Sequence, residues 1–171
     1  MALTATFWIL EIKDLELLRK TVEAESAIKK SWLDKIKKPP ESFFKKMETI
    51  AVERINYRYS GMAFTILAVF SKEKLNVDWE NLLYSNFANE FSQGSDSGIY
   101  IFSIMDKDLQ KLKPTGLFYS MQELDQFAVD FEGNKPGNPD IMKNSIKELD
   151  EVFRKLTKER VVLLAMTNNE I

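Results

Sequence analysis

An α+β domain, with helices packed on a mixed or antiparallel sheet of about four to six strands, is what this sequence predicts. Two strand-sized apolar runs stand near the ends of the chain, Phe7-Trp8-Ile9-Leu10 and Val161 to Met166. Between them lie helical seams, of which Met142, Ile146, Leu149, Phe153 and Leu156, spaced by 4, 3, 4 and 3, is the purest. Strand and helix patterns alternate with no internal repeat, and 171 residues suit a single globular domain over 1–171. A chain of that length buries roughly 70% of its unfolded surface, so it needs no disulfide or metal to fold.

Each element has a local signal. Phe7 to Leu10 is apolar on both alternating faces, as in a strand inside a sheet. Asp14 is placed to cap a helix whose stripe is Leu15, Leu18 and Val22, continued by Ile28, Trp32 and Ile36. Pro39-Pro40 ends that region and opens a second helix, with Phe44, Met47, Ala51 and Ile55 on one face. Tyr57 to Ser60, Ser60-Gly61 and Met62 to Phe70 read as a hairpin, or as one long strand bent at Gly61. Val77-Asp78-Trp79 opens a further helix, with Asp78 as its cap or first-turn acid, in which Trp79, Leu83, Phe87 and Phe91 recur every four residues. Ser92 to Gly98 is a polar loop, Ile99 to Met105 a strand, and Asp106 to Leu109 the start of a short helix closed by Pro114. Gly116 to Tyr119 reads as a small edge strand. Ser120 and Glu123 have capping-box spacing before Leu124, Phe127, Ala128 and Phe131. Gly133 to Pro139 is the strongest loop, and Asp140 caps the last helix. Trp79, Leu83, Phe87, Leu149, Phe153, Val162 and Leu164 form the expected core.

Composition closes several chemistries. The chain has no His and no Cys. Zinc fingers, thiol nucleophiles, Ser-His-Asp triads, haem histidines and facial iron triads are thereby excluded. No apolar run reaches the roughly 20 residues of a membrane helix. The apolar start lacks a basic leader, so a cytoplasmic protein is expected. Without histidine, stability should be nearly flat from about pH 6 to pH 8.

The charges are unevenly spread around a formal net of -2. Lys29, Lys30, Lys35, Lys37, Lys38, Lys45 and Lys46 face only Asp34 and Glu41. That stretch contains no arginine, and the overall pI is near 5.4, so it reads as a solvated helix face and not a nucleic-acid interface. Residues 78–132 carry ten acids against three lysines.

No motif compels catalysis. Ser-x-x-Lys occurs at Ser26/Lys29, Ser42/Lys45 and Ser71/Lys74, a chance frequency in a lysine-rich chain. Asp130, Glu132 and Asn134 open like a calcium loop, but its sixth position is Lys135 and its twelfth Ile141, where Gly and Glu are required. A loose divalent site with Asp140 is the residual form of that reading. Gly94 to Gly98 could cradle an anion but lacks the phosphate-loop lysine.

Three segments resemble the YfbM-like family of small bacterial proteins without an assigned function. They are Phe7-Trp8-Ile9-Leu10 with the acid-capped Leu-rich helix after it, Asp78-Trp79-Glu80-Asn81-Leu82-Leu83, and Met142 through Phe153 to Val161-Val162-Leu163-Leu164. Ile99 to Leu112 is similar too. The Gly-rich middle of that family is missing here, and the resemblance implies no catalytic residues.

The function expected is a small cytosolic, non-enzymatic protein-interaction module of the immunity or antitoxin kind. Its binding surface would be acidic, built from Asp96, Asp106, Asp108, Asp125, Asp130 and Glu132, and would steer a basic protein partner. No catalytic residue, metal ligand or cofactor is assigned, and no membrane association is expected. The alternative is a carboxylate-based, Mg-dependent enzyme acting on a phosphate or sugar.

Overall fold

The computed structural model describes residues 4–29, 42–94, 101–112, 119–133 and 140–167. Among them, four strands form one antiparallel sheet: β1 (Thr4–Glu11), β2 (Glu53–Asn56), β3 (Ile101–Met105) and β4 (Arg160–Thr167), in the order β2-β1-β4-β3. β1 and β4 lie in the middle, and both are buried along their length, from Ala5 to Leu10 and from Val161 to Thr167. Phe7 sits opposite Leu164 and Ile9 opposite Val162, while Trp8 sits opposite Leu163. Because side chains alternate, this register gives the sheet two buried faces.

Helices cover both faces, giving three layers. One face carries Phe7, Ile9, Val162 and Leu164 and packs on α3 (Met62–Leu75), α5 (Met121–Phe131) and α6 (Asp140–Arg154). The other carries Trp8, Leu10, Phe102 and Ile104 and packs on α1 (Leu15–Lys29), α2 (Phe43–Ile50) and α4 (Ser85–Gly94). The predicted α6 seam is buried along its whole length. The Ser120–Glu123 capping box is formed in both directions. Ser42 caps α2, and the Glu25 carboxylate accepts from Phe43 N–H at 2.7 Å, tying α1 to the start of α2.

The structure corrects the reading in three places. Met62 to Phe70 is the buried helix α3 and not a strand; a continuous apolar run suits either, and burial inside a sandwich decided it. Its end is marked by Lys72 and Lys74 in the last turn and by Asn76 at φ 55°. Second, the helix after Pro40 stops at Ile50, and Ile55 belongs to β2. Third, Trp79 to Phe91 is not one helix. Asp78 caps a 3₁₀ turn, Trp79–Asn81, and α4 begins only at Ser85. Trp79 therefore packs on the Phe7 side and Phe91 on the Trp8 side. Leu83, expected in the core, is 76% exposed, and Phe87 is half-buried.

Readings at Trp32, Ile36, Lys30 to Glu41, Ser95 to Gly98, Pro114, Gly116 and Asn134 to Pro139 lie outside the described residues.

Candidate functional site

Among the described residues, three surface regions combine clefts with charged side chains. The widest is a cleft of about 660 Å³ between β2 and α6, lined by Arg54, Arg58, Lys147 and Lys155 on the cationic side and by Glu53, Glu148 and Glu151 on the acidic side. Lys155 pairs with Glu53 across it. Burial, and after it the neighbouring Glu151, raises the Glu148 carboxyl above its ordinary range. Sequence reasoning missed this cleft, because β2 was taken as part of a helix and its wall is 90 residues further along the chain.

The second region is at the opposite end of the sheet order, where β3 leads into a 3₁₀ stretch, Lys107–Leu112. The Asp106 carboxylate accepts the Asp108 N–H at 2.9 Å, which fixes the turn and sets both acids at its start. Leu83 lines two clefts here, of about 280 and 180 Å³, and both are also lined by Asp106 and Asp108. Lys107, Lys158 and Arg160 share the larger one. The bend at Leu82 to Tyr84, between the 3₁₀ turn and α4, holds Leu83 outward.

The third region lies on α5. Asp130 lines a cleft of about 530 Å³ with Phe70, Lys74, Tyr119, Glu123 and Phe127. Asp125 has a raised carboxyl, caused first by burial and then by Asp140. Glu132 is the C-cap of α5. Burial alone pushes the Tyr119 hydroxyl above its ordinary range.

Of the six predicted acidic residues, Asp106 and Asp108 therefore share one site, while Asp125, Asp130 and Glu132 belong to a separate helix. Asp96 lies outside the described residues. Among the described residues, no three acidic side chains are grouped to hold a metal ion. None of the described helices is long and apolar enough to cross a membrane. Two serines of the Ser-x-x-Lys pairs have structural bonds: Ser42 Oγ accepts from Lys45 N–H, and the buried Ser71 Oγ donates to Leu67 O at 2.6 Å.

No family model, curated protein or solved structure matches this chain.

Proposed function

We propose that the protein is a non-enzymatic protein-interaction module, of the immunity or antitoxin kind, that docks its partner on the surface around Leu83, Asp106 and Asp108. The observation that carries this is Leu83: a large apolar side chain, 76% exposed, standing between two adjoining clefts and flanked in both by the same two carboxylates. An apolar anchor within a charged rim is the arrangement from which binding hot spots are made. The partner that fits presents an apolar pocket for Leu83 with basic groups beside it for Asp106 and Asp108. Lys107, Lys158 and Arg160, which also line the larger cleft, favour an acid on the same partner segment.

The test places a photo-crosslinking amino acid at position 83 in cells and identifies what it captures. Affinity for the purified partner is then measured with Leu83→Asp and Asp108→Lys. Asp106→Asn serves as the gentler variant, since it keeps the acceptor for the Asp108 N–H. Loss of about 2 kcal/mol, about 30-fold in Kd, is expected for Leu83→Asp. A partner captured at position 83 whose affinity ignores all three changes would refute this docking face.

A further inference from the structure

Most of the charges that line the β2–α6 cleft already have a partner in the protein. Lys155 pairs with Glu53, and Lys147 with Glu151 at 4.0 Å. Arg54 pairs with Glu48 at 3.4 Å, and its Nε donates to Asn56 Oδ1 at 3.1 Å. Two lining charges are left over. Among the described residues, Arg58 and Glu148 have neither an ion pair nor a hydrogen bond. They stand on opposite walls, Arg58 just beyond β2 and Glu148 on α6. Although they do not touch, they lie within electrostatic reach of each other. Burial and then Glu151 oppose the charge on Glu148, while Lys155, Arg58 and Lys147 favour it. The Asn144 amide and the Tyr59 hydroxyl line the same cleft, and among the described residues they too have no hydrogen-bond partner. Ile55 is the one aliphatic residue in the lining.

We propose that this cleft binds a small polar zwitterion, an α-amino acid with a hydrophilic side chain, whose carboxylate sits on Arg58 and whose ammonium sits on Glu148. The Arg58 guanidinium is a planar fork that matches a carboxylate with two parallel hydrogen bonds. An ionised Glu148 only accepts, and an ammonium supplies three donors. Ligands of a single charge fit worse. A plain anion on Arg58 would face Glu148 and Glu151, and a plain cation on Glu148 would face Arg58 and Lys155. A zwitterion opposes neither set. Its ammonium also counters the repulsion that Glu151, three residues along α6, exerts on Glu148. Since Arg58 and Glu148 are not paired with anything, a bridging ligand breaks no existing ion pair. The nearly aliphatic-free lining favours a side chain that hydrogen-bonds, for which Asn144 and the Tyr59 hydroxyl are open. A volume of about 660 Å³ is within the range of small-molecule sites and leaves room for bridging water. The proposal stands independently of the Leu83 docking face, whose clefts lie at the other end of the sheet order.

The test is calorimetric titration of the full chain with L-glutamine, L-asparagine and L-serine as probes. At least one should bind at millimolar concentration or below. Two analogues of the tightest probe then separate the poles: the deamino acid keeps only the carboxylate, and the α-amide keeps only the ammonium. Each should bind at least about 10-fold more weakly than the parent amino acid, the loss of one charge-assisted hydrogen-bonded group. Arg58→Gln and Glu148→Gln should each weaken the parent by about 10-fold as well. Neither side chain bonds to the rest of the protein, so both variants should keep the wild-type circular dichroism spectrum. If none of the three probes binds at millimolar concentration, the proposal is overturned. A deamino analogue that binds as tightly as the parent would make the cleft an anion site, and an equally tight α-amide would make it a cation site; either overturns the proposal. So does an affinity that ignores both Arg58→Gln and Glu148→Gln, which would place the ligand elsewhere on the molecule.

Discussion

Asp125 and Glu148 are two carboxyls whose surroundings oppose ionisation, the first by burial and then Asp140, the second by burial and then Glu151. A raised folded-state pKa means that the native chain holds the proton more firmly than the unfolded one. The stabilisation is therefore complete below the ordinary carboxylate range and is lost as pH rises through the raised value. Asp125→Asn should thus be more stable than the wild type at neutral pH, and its urea midpoint should fall less between about pH 4 and pH 6. An unchanged slope would mean that Asp125 ionises alike in both states. With no histidine to titrate, both proteins should be nearly flat from about pH 6 to pH 8. Ser120 offers a second check at this scale. Its hydroxyl accepts Glu123 N–H at 3.2 Å, and Ser120→Ala should cost about 1 kcal/mol in thermal or denaturant unfolding.

At the scale of elements, the segment from Trp79 to Phe91 separates pattern from environment. Trp79, Leu83, Phe87 and Phe91 share one helical spacing, yet the chain bends between Asn81 and Ser85 and sends them to different places. Phe91 is fully buried against Phe43, ring centroids 5.0 Å apart, while Leu83 is in water. Phe91→Ala should cost about 3–5 kcal/mol and Leu83→Ala less than about 0.5 kcal/mol, measured by chemical denaturation. Equal costs would restore the single continuous helix. In α6 pattern and environment agree, and Phe153→Ala should also cost about 3–5 kcal/mol.

For the whole molecule the governing fact is that the sheet is covered on both sides. Leu163 and Leu164 are neighbours in β4, but they enter different cores, one with Trp8 and the other with Phe7. In a sheet with one wet face, replacing one of such a pair is nearly free. Here Leu163→Ala and Leu164→Ala should each cost about 2–5 kcal/mol, read from urea midpoints. A large difference between them would mean that one helical layer is loosely held.

By itself the sequence determined the two central strands, the α6 seam and the Ser120 capping box, because each is set by contacts within a few residues or by burial on both faces. It also closed histidine and cysteine chemistry outright, and it named Asp106 and Asp108 among six acids without setting those two apart. The helical state of Met62 to Phe70 was only half legible: Lys72, Lys74 and Asn76 carry a helix-end signal, but an apolar run of that length has no period of its own. Only the tertiary structure decided that Leu83 faces water, that the described members of the predicted acidic set divide between two regions, and that β2 is the end strand of the described sheet, beside α6. Each of these depends on which residues, distant in sequence, the sandwich brings side by side, and spacing along one chain holds no record of that.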